Sequence, residues 1–466
     1  MYLTHLEIKD VKCFSHETLN FAHQEQDYSG WNVILGGNGT GKSTLLQGMA
    51  LALVGPLIGQ RLLYNASGWA RQGKAFGELC AGIAPGQHDS AVGQPRKKPY
   101  TAAFAVTGDA TIDIEGQTYD QPQLVQMKDD KVGLSKGPYA ANKSGWLACG
   151  YGPFRRLTGM GGSEEYDLVY SSGRGKRFAT LFREGAAITN CTEWLVSLYT
   201  RSIDPHQSEP ERIKFESDLK QILEVINGLL PGGVRIAKVD AKNVYFNTVG
   251  GVEVTVPELS DGYRSFLALA IDLLRHTHES VHDLSSVVSR IDDITRVTMD
   301  GVVLIDEVDA HLHPRWQREI GFRLCNAFPQ LQFIVTSHSP FVAQAASENG
   351  LFVLRQLKGQ RFVEVLTDVK STRGWSVGQV LTNPSLFDLE GTRDEETERL
   401  MREHSELVAK REWQQLSGDE QSRLVVLEKE LAERLTAPGE STDEIKRQEL
   451  MREYVEKTLN RLEATK

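Results

Sequence analysis

The stretch Gly36-Gly37-Asn38-Gly39-Thr40-Gly41-Lys42-Ser43-Thr44 decides how this chain folds. It follows the apolar run Trp31–Leu35 and precedes a helix-like run, Leu45–Leu53. Strand, glycine-rich loop and helix in this order satisfy the phosphate-binding pattern G-x-x-x-x-G-K-[ST]. Glycines allow backbone N–H groups to turn inward at a helix N-terminus, where the helix dipole also favours negative charge. The stretch therefore predicts a site for a nucleoside triphosphate.

Two side chains of this loop have predicted roles. Lys42 is expected to reach the β- and γ-phosphates, and the hydroxyl of Ser43 is expected to bind Mg²⁺. Glycine-rich turns are common in proteins, so the flanking strand and helix give the motif its weight. The whole loop is predicted to cradle the nucleotide through Gly36, Gly37, Asn38, Gly39, Thr40, Gly41, Lys42, Ser43 and Thr44.

The composition is that of an ordinary globular protein. The 466 residues carry 40% hydrophobic and 24% charged side chains and a net charge of −10, which gives no overall basic footprint for nucleic acid. We find neither a signal peptide nor an 18-residue apolar run, and we expect a cytoplasmic protein without a membrane span. The cysteines form no C-x-x-C pair and fit a reducing compartment; they are Cys13, Cys80, Cys149, Cys191 and Cys325.

Three further motifs follow along the chain. Leu259–Ser265 begins a predicted helix that Ser260 can cap, and Gly262 allows close approach of backbone to an anion. Gly301–Glu307 is an apolar strand that ends in two adjacent carboxylates. At a strand end, Asp306 can hold hydrated Mg²⁺ while Glu307 orients a water molecule.

The last motif is Thr336-Ser337-His338-Ser339-Pro340, which follows another apolar strand. The order of the motifs resembles that of ABC-type ATPases, in the branch of SMC, RecF and OLD proteins. The resemblance covers roughly residues 1–54 and 230–357. It assigns Lys42 and Ser43 to Walker A, Asp306-Glu307 to Walker B, Leu259–Ser265 to the signature motif, and His338 to the switch histidine.

The resemblance implies an α/β fold of the ABC-ATPase head type, which is a P-loop NTPase core with N-terminal antiparallel strands, an inserted strand and helix lobe, and a C-terminal helical appendage. It assigns the ATPase core to residues 1–54 and 230–370, the inserted lobe to residues 55–229, and a helical partner or oligomerisation segment to residues 384–466. Arg423–Leu435 carries leucines at three- and four-residue steps, which predicts packing either on a partner or on the chain's own core.

The resemblance also implies a head-to-tail dimer with ATP and Mg²⁺ between two copies of the chain. Ser260 and Gly262 of one copy would then face the γ-phosphate held by Lys42 of the other. Glu307 would align the attacking water, and His338 would bond the γ-phosphate.

The signature motif departs from the family pattern, because Ser-Asp-Gly-Tyr stands where Ser-Gly-Gly-Gln is usual. Asp261 therefore needs an arginine or solvent beside it. The Q-loop glutamine has two candidates, Gln72 and the segment Tyr151–Arg156. Lys12 is a candidate contact to the nucleotide from the N-terminal strands.

Two further groups of residues allow more than one interpretation. His311 and His313 are either metal ligands or interface contacts in the ATP dimer, and the lack of a further ligand at zinc spacing favours the interface. Basic clusters at 96–98, 155–156 and 174–177 are either solvated faces or contacts to phosphate groups.

Three functions fit the motifs. The first is an ATP-driven switch that controls an effector such as a nuclease, as in bacterial anti-phage systems, PtuA among them. The second is a DNA-repair or chromosome-maintenance ATPase that acts directly on DNA, so nucleic-acid binding stays open. The third, an ATPase fused to its own nuclease, is disfavoured because residues 367–466 hold no Asp-x-Asp.

Overall fold

The computed structural model describes residues 1–435 apart from 24–26, 64, 91–97, 109–110, 115, 128–130, 141–144, 156–172, 187, 189–190, 282 and 357–358. The basic residues 96, 97 and 156 and the sequence Pro438-Gly439, which predicts a break between helices, lie outside the described residues. The chain divides into two compact units, Met1–Asp388 and Leu389–Lys466.

Eighteen strands occur in the described residues. They are β1 (Tyr2–Val11), β2 (Phe14–Asn20), β3 (Gly30–Gly36), β4 (Phe76–Ala84), β5 (Tyr100–Thr107), β6 (Ile112–Ile114), β7 (Gln117–Tyr119), β8 (Leu124–Gln126), β9 (Leu147–Tyr151), β10 (Arg235–Val239), β11 (Val244–Asn247), β12 (Glu253–Thr255), β13 (Val288–Ile291), β14 (Ile294–Val297), β15 (Gly301–Ile305), β16 (Leu331–Ser337), β17 (Leu351–Gln356) and β18 (Val363–Leu366).

The α-helices of the described residues are α1 (Lys42–Val54), α2 (Pro56–Leu63), α3 (Lys131–Lys136), α4 (Gly173–Lys176), α5 (Ala179–Phe182), α6 (Cys191–Ile203), α7 (Glu209–Leu229), α8 (Asp261–Ser280), α9 (Pro314–Ala327), α10 (Pro340–Ala343), α11 (Val377–Thr382), α12 (Glu395–Trp413) and α13 (Gly418–Leu435). None of the helices described is both long and apolar enough to cross a membrane.

A six-stranded sheet forms the centre of the first unit, in the order β18-β17-β3-β16-β15-β9. All neighbours are parallel except β18, which runs antiparallel to β17. Parallel strands covered on both faces are continuous apolar runs, and every residue of β15 and β16 is buried. The apolar strands that the sequence predicts before the two adjacent carboxylates and before His338 are therefore confirmed as β15 and β16.

The N-terminal strands form a second, antiparallel sheet in the order β2-β1-β4-β5-β8. Helix α1 and the alternating inward side chains of β1 share one hydrophobic core with this sheet, and that core includes Leu6, Ile8, Met49 and Leu79. The segment 55–229, which the resemblance assigns to an inserted lobe, supplies β4 and β5 to this sheet and β9 to the edge of the parallel sheet.

Helix α8 is longer than its apolar pattern predicts. The sequence predicts an end near Leu274, but the helix continues to Ser280. The additional turn is polar and pairs its side chains locally, with His276 bonded to Asp272 and Glu279. The prediction was wrong because it counted apolar residues and not such i,i+3 and i,i+4 pairs.

In the second unit, α12 and α13 pack as a helical hairpin. The leucine stripe of α13 faces α12, and Leu427 and Leu431 are buried in one cluster with Leu400. Leu424 is also buried, whereas Leu435 is 41% exposed. Most of the stripe therefore stabilises the hairpin itself, which is neither of the two uses that the sequence suggested.

Candidate functional site

The phosphate loop, residues 36–44, joins the end of β3 to the start of α1. Gly41 precedes the helix with a φ of 93°, a conformation that side chains other than glycine rarely adopt. A Cβ atom there would lie 2.6 Å from Cys13 Sγ and 2.8 Å from the Phe14 ring. The loop is therefore shaped both by its glycines and by the turn between β1 and β2 that packs against it.

Lys42 points back across this loop. Its ammonium donates to the carbonyls of Gly36 (2.9 Å) and Gly37 (3.0 Å) and lies 2.9 Å from His338 Nε2. The residue is 7% exposed. Burial lowers the pKa of the ammonium, while the carboxylates of Asp306 and Glu307 act in the opposite direction.

The carboxylate turn, residues 306–308, follows β15 directly. Asp306 is 4% exposed, and its Oδ1 accepts a hydrogen bond of 2.5 Å from Thr336 Oγ1. The same hydroxyl accepts a bond of 2.8 Å from the Glu307 N–H. Glu307 has a φ of 44°, which places its backbone in the left-handed region that residues other than glycine rarely adopt. Thr336 on β16 thus holds both members of the carboxylate pair.

His338 lies just after β16, and its segment is tied to the turn that follows the carboxylates. Ser339 Oγ donates to Gln317 Oε1 (2.8 Å), and Gln317 Nε2 donates to the Leu312 carbonyl (2.9 Å). Two motifs far apart in sequence are therefore joined through α9. Gln317 was missed by sequence reasoning, because a single glutamine on a helix face carries no motif.

The segment after β9 lies directly beside the carboxylate turn. The Asp306 N–H donates to the Tyr151 carbonyl (2.8 Å), and the Arg155 guanidinium donates to the Asp306 (2.9 Å) and Glu307 (3.1 Å) carbonyls. Gln72, in contrast, is exposed. Of the two Q-loop candidates, the structure brings Tyr151–Arg155 to the site. Of the two interpretations of the basic cluster at 155–156, the solvated face is wrong for Arg155, which is buried.

The signature segment begins α8. Ser260 occupies the N-cap position, but its side chain makes no capping bond and is exposed. Asp261 pairs with Arg264, which provides the arginine that its position requires. At Gly262, a Cβ atom would lie 2.7 Å from the His311 carbonyl of the same chain. A close approach of backbone within the chain therefore already explains this glycine.

Other predicted residues have structural partners. The Lys12 ammonium lies 4.4 Å from the centroid of the Trp69 ring, in a cation–π contact, so a nucleotide contact stays a prediction. His313 Nδ1 accepts from the Arg315 N–H and caps α9. Within the described parts of the chain, no three His, Cys, Asp or Glu side chains are placed to hold a metal ion.

The donor set fits a nucleotide with Mg²⁺. A lysine lies under a loop of backbone amides, the Ser43 hydroxyl is exposed at the N-terminus of α1, and a buried carboxylate follows the neighbouring strand. Hydroxyl and carboxylate oxygens are the ligands that Mg²⁺ prefers. Ser43 and Asp306 would hold the ion, and the ion would offset charge on the phosphates. None of the described hydrogen bonds joins Ser260 to the phosphate loop.

Comparison with known families agrees with the site. Residues 5–132 match a family described as "AAA domain", and residues 182–343 match one described as "AAA domain, putative AbiEii toxin, Type IV TA system". The first match includes the phosphate loop, and the second includes the signature segment, the carboxylate turn and His338.

Its relatives include proteins of bacterial defence systems. The Septu protein PtuA of Bacillus mycoides (strain KBAB4) is 25% identical over 383 residues, which are 82% of this chain and 44% of that protein. The retron Ec83 probable ATPase of Escherichia coli is 34% identical over 162 residues, which are 34% of this chain and 26% of that protein. This chain thus spans less than half the length of either relative.

Among solved structures, an SMC head bound to the C-winged helix domain of ScpA aligns with 78% of this chain and 97% of that chain, at 13% identity and a TM-score of 0.43. The SMC head domain from Thermotoga maritima aligns with 79% of this chain and 100% of that chain, at 15% identity and a TM-score of 0.39.

Proposed function

We propose that this protein hydrolyses ATP, with Mg²⁺, as a molecular switch. The observation that carries the proposal is the convergence of the phosphate loop, the carboxylate turn and His338. Lys42 Nζ lies 2.9 Å from His338 Nε2, and Thr336 holds Asp306 and the Glu307 N–H beside them. Groups that bind, neutralise and orient a triphosphate need this proximity.

The proposed roles follow from the chemistry of each group. Lys42 and the amides of the phosphate loop attract the β- and γ-phosphates, and His338 donates a hydrogen bond to the γ-phosphate. Glu307 orients the attacking water and accepts its proton. Asp306 and Ser43 hold Mg²⁺.

We further propose that two copies of the chain close head to tail around ATP. The support is the state of Ser260, whose hydroxyl is exposed at a helix N-terminus and makes no capping bond to its own helix. An uncommitted hydroxyl beside a helix dipole suits a phosphate presented by a second copy. ATP bound only by the closed dimer would stabilise that dimer by mass action.

The proposed biological role is control of an effector protein, such as a nuclease, in anti-phage defence. The support is the similarity to Septu PtuA and to retron ATPases.

The test is the variant Glu307→Gln. We expect it to bind ATP, to lose turnover and to accumulate as a dimer with Mg-ATP, because the water is no longer activated and the closed state persists. Light scattering behind gel filtration measures the mass, and phosphate release measures turnover. Glu364→Gln, an exposed carboxylate on β18, is the matched control. A Glu307→Gln monomer in saturating Mg-ATP would contradict the dimer, and wild-type turnover by this variant would contradict the assigned role.

A further inference from the structure

Arg155 is a buried arginine with no role in the reaction proposed above. It is 5% exposed, and its NH1 and NH2 groups donate to the carbonyls of three consecutive residues, Asp306 (2.9 Å), Glu307 (3.1 Å) and Val308 (3.4 Å). A fourth bond goes to the Gly152 carbonyl (3.2 Å). Within the described residues Arg155 forms no ion pair, so its positive charge is stabilised mainly by backbone carbonyls.

These bonds act on a strained part of the backbone. Glu307 adopts a φ of 44°, which costs free energy for a residue other than glycine and persists only where the surroundings enforce it. Thr336 fixes one side of the carboxylate turn through the Asp306 carboxylate and the Glu307 N–H. The guanidinium fixes the other side through the carbonyls, because its planar fork of donors can hold several acceptors at once.

Arg155 also reaches the helix that carries the signature segment. Its Nε donates to Ser265 Oγ (3.3 Å), a 5% exposed hydroxyl in the second turn of α8. The strand before Arg155 has its own bond to this helix, from Tyr151 Oη to Asp272 Oδ2 (3.1 Å). A shift of α8 relative to β9 would therefore alter the surroundings of the guanidinium.

We propose that Arg155 is a positioning residue that holds the carboxylate turn in the conformation in which Glu307 faces the nucleotide, and that its bond to Ser265 makes this conformation depend on the placement of α8. The inference rests on the proposed ATP hydrolysis. It adds a link within one chain between Ser260, which would meet the nucleotide of a second copy, and Glu307, which acts on the chain's own nucleotide.

The test compares Arg155→Met, Arg155→Lys and Ser265→Ala in the full chain. We expect kcat to fall about 100-fold in Arg155→Met and about 10-fold in Arg155→Lys, because an ammonium can hold fewer carbonyls. In Ser265→Ala we expect a fall of about 3- to 10-fold. KM for ATP and the affinity for a fluorescent ATP analogue should stay within about twofold, because the phosphate loop is untouched.

Ser280→Ala is the matched control for Ser265→Ala. Both serines lie on α8 and are 5% exposed, but among the described hydrogen bonds that of Ser280 Oγ goes to the His276 carbonyl of its own helix and not to Arg155. We expect wild-type kcat for this control. Equal losses in the two alanine variants would overturn the coupling, since burial and not the Arg155 bond would then explain them.

Hydrogen exchange of the peptide that covers residues 306–310 gives a readout independent of turnover. Faster exchange in Arg155→Met than in wild type is expected, with no change in Ser280→Ala. Unchanged exchange, or wild-type kcat in a folded Arg155→Met protein, would overturn the inference while the ATPase proposal stands. A wild-type protein without turnover would overturn the ATPase proposal, and the exchange result would still decide the role of Arg155. If Arg155→Met does not fold, Arg155→Lys and the pair of serine variants decide it.

Discussion

At the scale of single residues, the site depends on backbone positions as much as on charged side chains. Lys42 and Asp306 belong to motifs with fixed spacing, so sequence alone located them. Arg155 could not be found in this way, because its partners are carbonyls about 150 residues further along the chain and every residue has a carbonyl. Thr336 was missed as a ligand holder for the same reason, since it resembles any other strand threonine.

Gly41→Ala should impair both folding and nucleotide binding. The alanine would have to adopt a φ of 93°, and its Cβ would lie 2.6 Å from Cys13 Sγ. Backbone strain and steric overlap would therefore both destabilise the folded state. We expect a loss of about 2–4 kcal/mol in the free energy of unfolding, measured by denaturant titration. Gly39→Ala is the control, because Gly39 has a φ of 76° but open space around it, and it should lose only about 1 kcal/mol. Equal losses would show that contact with Cys13 is unimportant.

At the scale of elements, helix α8 packs its apolar residues in the hydrophobic core and also carries a buried network of polar side chains. Its apolar face was predictable from spacing, but its last turn and its contact with β9 were not. Strand β9 is only five residues long and follows glycine-rich sequence, so no pattern predicted that it would form the edge of the parallel sheet. Tyr151 Oη on β9 donates to Asp272 Oδ2 on α8 and so connects the two elements, and the same Asp272 oxygen pairs with His276 Nε2 within α8.

His276→Gln should reduce stability more at low pH than at high pH. Burial alone would lower the pKa of His276, but Asp272 and Glu279 outweigh it and the pKa is raised. The folded state therefore binds a proton at His276 more tightly than the unfolded chain does. The resulting gain in stability is fully present below the pKa of His276 in the unfolded chain, and it is lost as pH rises through the pKa in the folded state. Thermal unfolding at about pH 6 and about pH 9 should show a larger difference between wild type and variant at pH 6. A difference that is constant or grows with pH would contradict the assignment.

At the scale of the whole molecule, the order of the motifs was enough to predict an α/β ATPase head. Lys42 and Ser260 are 218 positions apart, and the parallel strands that precede the phosphate loop, the carboxylate pair and His338 were recognisable as apolar runs. The packing partner of the leucine stripe on α13 was less predictable, because the spacing of leucines along a helix does not indicate which surface packs against them. In the structure the cover is α12, since Leu400 packs on Leu427 and Leu431.

A mixing experiment tests whether two copies build one site. Lys42→Ala removes the phosphate contact of one copy, and Ser260→Arg blocks the contribution of the other. Each variant alone should be inactive, whereas an equal mixture should regain about a quarter of wild-type turnover, because about half of the dimers then contain one intact site of two. Lys42→Ala mixed with Lys42→Ala/Ser260→Arg is the control and should stay inactive. An inactive mixture of the two single variants would contradict the shared site.

The sheet order has a consequence for the way the protein is made. Strand β3 pairs with β16 and β17, and Lys42 meets His338, a partner 296 positions later. Contacts between such distant residues form late in folding, since the closure of a long loop must come first. During synthesis the phosphate loop therefore leaves the ribosome long before its neighbours exist, and domains emerge N-terminus first. The proposed nucleotide site can be completed only after most of the chain has been translated, so nucleotide binding would be a late marker of successful folding.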